Sequence, residues 1–430
     1  MDLFRRLPTT PIDGDDILRE LDVMLRKDYE KTSLRAGQMT YWGLGGAQSI
    51  PNEPFVEIAR SAASKFVNET QLYLYSQASI GRMASDILNM LRVNLDGGDE
   101  AVVGTITSGG TESISLAIKA ARDYERSRRD VPGRPNIVVP FTAHMAFDKA
   151  AQYFDMDVVR VETNEDWTAN IDAMAKAITS STVMIAGSAP SYTHGVIDAI
   201  EALGALAQER DLWLHVDACV GGIILPFMRK AGQSTPAFDF SVPGVTSLST
   251  DLHKHGYTPI GISTLWIRGE ERREFHMFKF DNWPKGFHKS PTFISTRSAA
   301  PLAGAWATML SLGESGYLDL ASRMMSIRDR LVQGIASVDH LYVCGNPQAS
   351  IVNYASKDID MFAVADRMTQ RGWYISTTAQ PAGGHHLVIE PARDVSLFDD
   401  YLDDVRASVA DVVSAGSARE QSADRISTYG

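Results

Sequence analysis

Cysteine is nearly absent: Cys219 and Cys344 are the only two in 430 residues. One pair cannot build a disulfide framework, and no Cys/His metal-ligand spacing accompanies it, which fits a reducing compartment. Long apolar runs are missing too. The longest, such as residues 301–312, stop short of the ~20 residues that a membrane span requires. Behind Met1-Asp2-Leu3-Phe4-Arg5-Arg6 no apolar core follows, so a signal peptide is not expected. Positive charge is outnumbered, with 41 Lys and Arg against 53 Asp and Glu and a net charge of -12. That balance argues against nucleic acid or an anionic membrane as the main partner and leaves room for a local anion pocket. The expected location is cytoplasmic.

The chain does have enough material for a large folded enzyme. Its 44% apolar and 22% charged shares are ordinary for a globular protein. At this length one core stops growing, so two or more lobes are expected. Residues 15–31 read as a helix with Ile17, Leu18, Leu21, Met24 and Leu25 on one face. A glycine-rich irregular segment covers 35–51, and helical periodicity returns over 54–96. Short apolar strands then alternate with helices: strands at 102–107, 136–139, 158–161, 183–188, 212–216, 246–249 and 262–267, helices such as 112–128 and 200–210. That alternation predicts βαβ units and a mostly parallel sheet covered on both faces. Long helices are expected at 300–312 and 318–338. After them, strand, helix and strand at 341–344, 361–371 and 386–389 suggest a smaller α+β lobe. The expected division is an N-terminal segment over 1–60, a large domain over 61–310, a small domain over 311–415 and a polar tail over 416–430.

Three strings carry chemistry. Thr107-Ser108-Gly109-Gly110-Thr111-Glu112-Ser113 joins a strand to a helix, where glycines let backbone N–H groups approach an anion at the helix's positive end. Alone, it is as well explained by an ordinary strand-to-helix loop. Asp217 ends an apolar strand in Leu214-His215-Val216-Asp217-Ala218-Cys219, the place where open α/β sheets put ligand groups. Alone, it is more often a cap. Lys254 follows another strand in Ser249-Thr250-Asp251-Leu252-His253-Lys254-His255-Gly256-Tyr257. A lone lysine is usually just solvated, but Ser249 and His253 beside it are phosphate-directed groups. Amine, carboxylate and phosphate-sized turn are together what pyridoxal 5′-phosphate (PLP) needs from a protein. The lysine joins its aldehyde as a Schiff base, and the carboxylate keeps its ring nitrogen protonated. His144, after the strand ending at Val139, is placed to stack on that ring, or else simply to cap the next helix.

These strings resemble the group II PLP-dependent decarboxylase family, and within it the sphingosine-1-phosphate lyases. Ala143-His144 with Phe147-Asp148-Lys149-Ala150-Ala151 matches too, as does Val242-Pro243-Gly244-Val245-Thr246-Ser247. So do Ser290-Pro291-Thr292 and Gly313-Glu314-Ser315-Gly316-Tyr317. The likeness covers most of 35–320. It implies an α/β, aspartate aminotransferase-like fold of type I, with a seven-stranded sheet in a large domain and a small C-terminal α+β domain. It also implies a homodimer whose active sites are shared across the interface.

By this resemblance Lys254 is the Schiff-base lysine, Asp217 the ring-nitrogen partner and His144 the stacking imidazole. Gly109, Gly110, Thr111, Cys219, Ser249 and His253 would bind the cofactor. Ser295, Thr296 and Arg297 would reach its phosphate from the other subunit. Tyr41 is the expected N-terminal active-site tyrosine, and Tyr257 a candidate base. Tyr41, Tyr75, His194 and Ile260 are the expected substrate contacts. The lyases carry a lysine for substrate phosphate where this chain has Ile260, and a histidine near Tyr75. The expected reaction is retro-aldol cleavage of a β-hydroxy amine, whose substrate need not be a sphingoid phosphate. The alternative is α-decarboxylation of an amino acid. An aminotransferase, with Arg393 as carboxylate partner, ranks third.

Overall fold

The computed structural model describes residues 10–32, 53–73, 78–98, 102–391 and 395–416. Its frame is a seven-stranded sheet: β1 Val102–Thr107, β2 Asn136–Pro140, β3 Asp157–Val161, β4 Thr182–Ser188, β5 Trp213–Asp217, β6 Ser247–Asp251 and β7 Ser263–Arg268. The spatial order is β1-β7-β6-β5-β4-β2-β3. Neighbours are parallel except β7, which runs antiparallel to both β1 and β6. Every residue of β2, β4, β5 and β6 is buried. Continuous apolar strands of this kind belong in a sheet covered by helices on both faces. Each strand lies within two residues of its expected bounds, because the buried runs leave little freedom over where pairing begins.

Antiparallel β7 has a geometric consequence. With one reversed strand between β1 and β6, the carboxyl ends of β1, β2, β4, β5 and β6 all reach the same edge. Ligand groups of open α/β sheets collect at that edge.

Residues 300–338, expected as two helices, form one helical stretch, Ala300–Ala336, broken at Gly313. There φ is 56°, a left-handed value that glycine adopts without strain. The break falls between the two expected segments. A hairpin of β8 Phe278–Phe280 and β9 His288–Ser290 was not anticipated, being only three residues per strand. The smaller sheet is four-stranded, with order β10-β11-β13-β12: β10 Leu341–Val343, β11 Ile351–Ser356, β12 Ser376–Thr378 and β13 Gly384–Val388. The helices Met361–Gln370 and Ser396–Ser414 accompany it.

The first helix, Gly14–Thr32, departs from expectation in its surroundings. Its apolar residues are exposed, Leu18 at 61% and Met24 at 55%, so that face packs against nothing else in the described chain.

Candidate active site

A cleft of about 530 Å³ opens where those strand ends converge. Ser108, Gly109, Gly110 and Thr111 line it after β1, His144 after β2, Asp217 at the end of β5, and His253 and Lys254 after β6. The structure thus brings together the turn, the imidazole, the carboxylate and the amine. Cys219 and Ile260 line the same space.

The turn is fixed by Glu112. One carboxylate oxygen accepts from the Ser108 backbone N–H at 2.6 Å and its hydroxyl at 2.7 Å, while the other accepts from Phe293 N–H at 2.8 Å. The helix Gly110–Arg128 starts here, and its first-turn N–H groups have no intrahelical acceptor. They are therefore open to an anion at the positive end of the helix. Gly110 has no room for a side chain: a Cβ would lie 2.6 Å from the Cys219 sulfur and 2.9 Å from an Asp251 oxygen.

Asp251 is the group that sequence reasoning passed over. It is fully buried, and its Oδ2 lies 3.0 Å from Lys254 Nζ. Burial alone would lower the Lys254 pKa, but the facing Asp251 carboxylate outweighs it and holds the ammonium well above its ordinary value. Burial likewise pushes Asp251 up, and Lys254 and His253 bring it below the usual carboxylate range. Asp251 Oδ1 has no hydrogen-bond partner. The signal was present, since Asp251 ends β6 one turn before Lys254, but an aspartate at a strand end usually reads as a cap.

Asp217 is only 7% exposed, and its Oδ1 accepts from Cys219 N–H at 3.1 Å. His144 Nδ1 accepts from Ala146 N–H at 3.1 Å, which leaves Nε2 to carry the proton of the neutral ring. The histidine therefore caps the next helix and faces the cleft, combining the two readings. Burial lowers its pKa and keeps it neutral near pH 7. His253 Nδ1 donates to the Ile262 carbonyl at 2.7 Å.

Other expected site residues stand elsewhere. Ser249 is buried behind the wall, 3.4 Å from Asp217 Oδ1 and 3.3 Å from the Cys219 sulfur. It supports those residues and does not line the cleft. Tyr257 sits in the core against Phe55, at a φ of 56° that turns the chain away from the cleft. Burial raises its phenol pKa well above the ordinary value, so it is neither placed nor poised to take a proton there. His194 lines a neighbouring cavity and not this one: it stacks on Trp167 at 4.1 Å, with Nε2 3.1 Å from the Gln380 carbonyl. Ser295 and Thr296 are exposed, between the Phe293 anchor and Arg297, whose Nη1 donates to the Ile106 carbonyl at 3.1 Å. Tyr41, Tyr75 and Arg393 fall outside the described residues.

The cleft fits PLP on its own chemistry. It offers free N–H groups for a phosphate, a buried carboxylate for a pyridine nitrogen, a neutral imidazole beside it, a lysine for the aldehyde and an unpaired buried oxygen on Asp251. Fold and cleft define a PLP-dependent enzyme of fold type I.

Comparison with known proteins narrows the class. The model of the pyridoxal-dependent decarboxylase conserved domain matches residues 65–283. Sphingosine-1-phosphate lyase of Arabidopsis thaliana is 40% identical over 373 residues, covering 86% of this chain and 68% of that protein. The Saccharomyces cerevisiae lyase is 32% identical, covering 99% of this chain and 72% of its own. The solved Burkholderia pseudomallei sphingosine-1-phosphate lyase superposes with a TM-score of 0.89 at 32% identity, covering 96% and 94% of the two chains. Glutamate decarboxylase of Lactobacillus brevis, at 19% identity and a TM-score of 0.78 over 96% of each chain, shares the fold. The chain belongs to the pyridoxal-dependent decarboxylase family, among relatives that are sphingosine-1-phosphate lyases, and is a PLP-dependent lyase. No helix among the described residues is long and apolar enough to cross a membrane.

Proposed function

We propose that this lyase cleaves a β-hydroxy amine between its α- and β-carbons, giving an aldehyde and a smaller amine. The carrying observation is the pairing of half-buried Lys254 with buried Asp251 at 3.0 Å, set in a cleft walled by Asp217, His144 and the Ser108–Thr111 turn. Bound PLP supplies an electron sink for the pair of electrons left on the α-carbon.

Each protein group then has one task. Lys254 would hold the cofactor by its aldehyde and, released from it as the neutral amine, would be a base near the reacting carbon. Asp217, held by the Cys219 N–H, would keep the ring nitrogen protonated. His144 would cover one ring face as a neutral imidazole. The turn N–H groups, with His253 and Thr111 close by, would take the phosphate. As the Cα–Cβ bond breaks, the β-hydroxyl gives its proton to a base and its oxygen becomes the aldehyde carbonyl. The α-carbon is then reprotonated. With Tyr257 in the core, Lys254 is the base this reading prefers, and the Asp251 carboxylate beside it stabilises the ammonium that forms.

The active unit in this reading is a homodimer. Exposed apolar groups support it: the face of the helix Gly14–Thr32, and Phe278, Trp283 and Phe287 on and beside the β8–β9 hairpin. Phe287 is 67% exposed, an expensive residue to leave in water. Exposed Ser295 and Thr296 follow that hairpin and would face the second site. Ile260 on the cleft wall makes an unphosphorylated substrate the preferred one.

The test is incubation of the PLP-loaded protein with β-hydroxy amines and, separately, with amino acids. Aldehyde release from the amines is expected. Carbon dioxide from amino acids without aldehyde from any amine would replace this reading with α-decarboxylation.

A further inference from the structure

Behind the cleft wall runs a line of buried polar side chains with no task in the reaction described so far. Alternate residues of a strand share a face, so Trp213, His215 and Asp217 of β5 lie on one side of the sheet. The parallel register sets Ser247 of β6 beside His215 and Ser249 beside Asp217. His215, Ser247 and Ser249 are completely buried, and the Phe147 ring closes over His215 with its centroid at 5.9 Å. Polar groups in such a place find their partners among their neighbours.

Their hydrogen bonds form a chain. Trp213 Nε1–H donates to Ser247 Oγ at 2.7 Å, and Ser247 Oγ lies 2.8 Å from His215 Nδ1. His215 Nε2 is 3.3 Å from Ser249 Oγ, which is 3.4 Å from Asp217 Oδ1. The Cys219 thiol, kept protonated by burial, donates to Ser249 Oγ at 3.3 Å. Burial brings His215 down to about 4, so at neutral pH its ring carries one proton.

The place of that proton decides which way the chain points. On Nδ1 it would go to Ser247, whose own hydrogen would then have no acceptor, an unfavourable state for a buried hydroxyl. Ser249 would turn its hydrogen to Nε2, and Asp217 would lose that donor. With the proton on Nε2 every hydrogen has a partner: Ser247 gives to Nδ1, Nε2 to Ser249, and Ser249 to Asp217. Oδ1 of Asp217 then accepts from both Ser249 and the Cys219 N–H. No donor among the described residues meets Oδ2, which is left for the cleft that Asp217 lines.

We propose that His215 and Ser249 are positioning residues: His215, as the Nε2–H tautomer, aligns the Ser249 hydroxyl, and Ser249 pins Asp217 Oδ1 so that Oδ2 meets the ring nitrogen of the cofactor. A carboxylate already in place loses less freedom when the cofactor binds. Ser249 thus serves the ring nitrogen and not the phosphate that sequence reasoning assigned to it. The role holds whichever substrate bond the enzyme breaks.

Two measurements test it without turnover. In the PLP-free protein, isotope-labelled at its histidine ring nitrogens, the His215 signals are identified by their loss in His215→Phe and should show the proton on Nε2. A proton on Nδ1 overturns the proposal. Binding is then compared for PLP and its carbocyclic analogue, in which C–H replaces the ring nitrogen while aldehyde and phosphate remain. Ser249→Ala should raise the PLP dissociation constant about three- to tenfold, as for one lost hydrogen bond, and leave that of the analogue unchanged. His215→Phe should do the same, and the double variant should lose no more than either alone. Equal weakening of both ligands would mean that the two residues merely support the fold. No weakening of either, or losses that multiply in the double variant, would break the link from His215 through Ser249 to Asp217. Any of these results overturns the proposal, and Ser249→Ala alone decides if His215→Phe does not fold.

Discussion

Gly110→Ala adds one methyl at the floor of the cofactor cleft. Its Cβ would lie 2.6 Å from the Cys219 sulfur and 2.9 and 3.0 Å from the two Asp251 carboxylate oxygens. Cys219 is 5% and Asp251 2% exposed, so neither side chain can swing into solvent. Overpacking of this kind costs about 1–3 kcal/mol. Alanine regains some helix propensity, at most about 1 kcal/mol in a helix interior and less in a first turn. The clash wins by roughly 1–2 kcal/mol, and the PLP-free protein should melt about 1–2 °C lower. Because the displaced group is the Asp251 that holds Lys254, the PLP dissociation constant should rise about ten- to thirtyfold. Gly109→Ala is the comparison: its nearest neighbour, the His253 ring, is 3.8 Å from the built Cβ, an ordinary contact. That variant should leave the melting of the PLP-free protein unchanged, so any loss of affinity reports on the cofactor itself. Thermal melting without PLP and absorbance titration with PLP measure both effects. A Gly110→Ala protein that melts and binds PLP like the parent would refute this packing of the cleft floor.

Further outcomes follow from the same geometry. Asp217→Asn should cut turnover by at least about a hundredfold, in the range of lost electrostatic stabilisers, with little change in melting. A turnover loss below tenfold would remove Asp217 from its role. Ile260→Lys, at a position 62% exposed, should leave melting unchanged and lower KM for phosphorylated amines relative to unphosphorylated ones; an unmoved KM ratio counts against Ile260 facing the substrate. Burial pushes His194, His215, His276, His385 and His386 down to about 4 and His255 to about 3. Unfolded histidines bind protons near pH 6.5, so the unfolded state takes up more protons between about 6.5 and 4, and stability falls as pH falls through that window, by up to ~1.4 kcal/mol per proton per pH unit. Asp198, raised to about 7 by burial, opposes this with a single group. Melting temperature should therefore drop steeply from pH 6.5 towards 4.5, and a flat or rising profile would contradict the neutral burial of these rings.

The large sheet could be read from the sequence because its strands are buried runs a few residues long, which fixes where they lie. The site was legible to the extent that its residues end those strands: His144, Asp217, Lys254 and the Ser108–Thr111 turn needed no tertiary knowledge beyond parallel pairing. Tyr257 was misjudged because adjacency to Lys254 says nothing of direction, and its positive φ sends it into the core. Ser249 shares a strand with cleft residues but points behind the wall. His194 depends on how the small lobe meets the β4 loop, which no local pattern encodes. The β8–β9 hairpin, β11 and β12 escaped notice: β8, β9 and β12 are three residues each and carry little periodicity, while β11, six residues and wholly buried, interrupts its apolar run with Asn353. Asp251 was in plain view, but only its distance to Lys254 separates a partner from a cap.

The claim on which the rest depends is covalent attachment of PLP to one lysine. Borohydride reduction of the PLP-loaded protein, followed by proteolysis and mass spectrometry, should find the phosphopyridoxyl mass on the peptide bearing Lys254, and Lys254→Ala should lose both the label and the cofactor absorbance. Label on another lysine, or none on a protein that turns over β-hydroxy amines, would contradict the account.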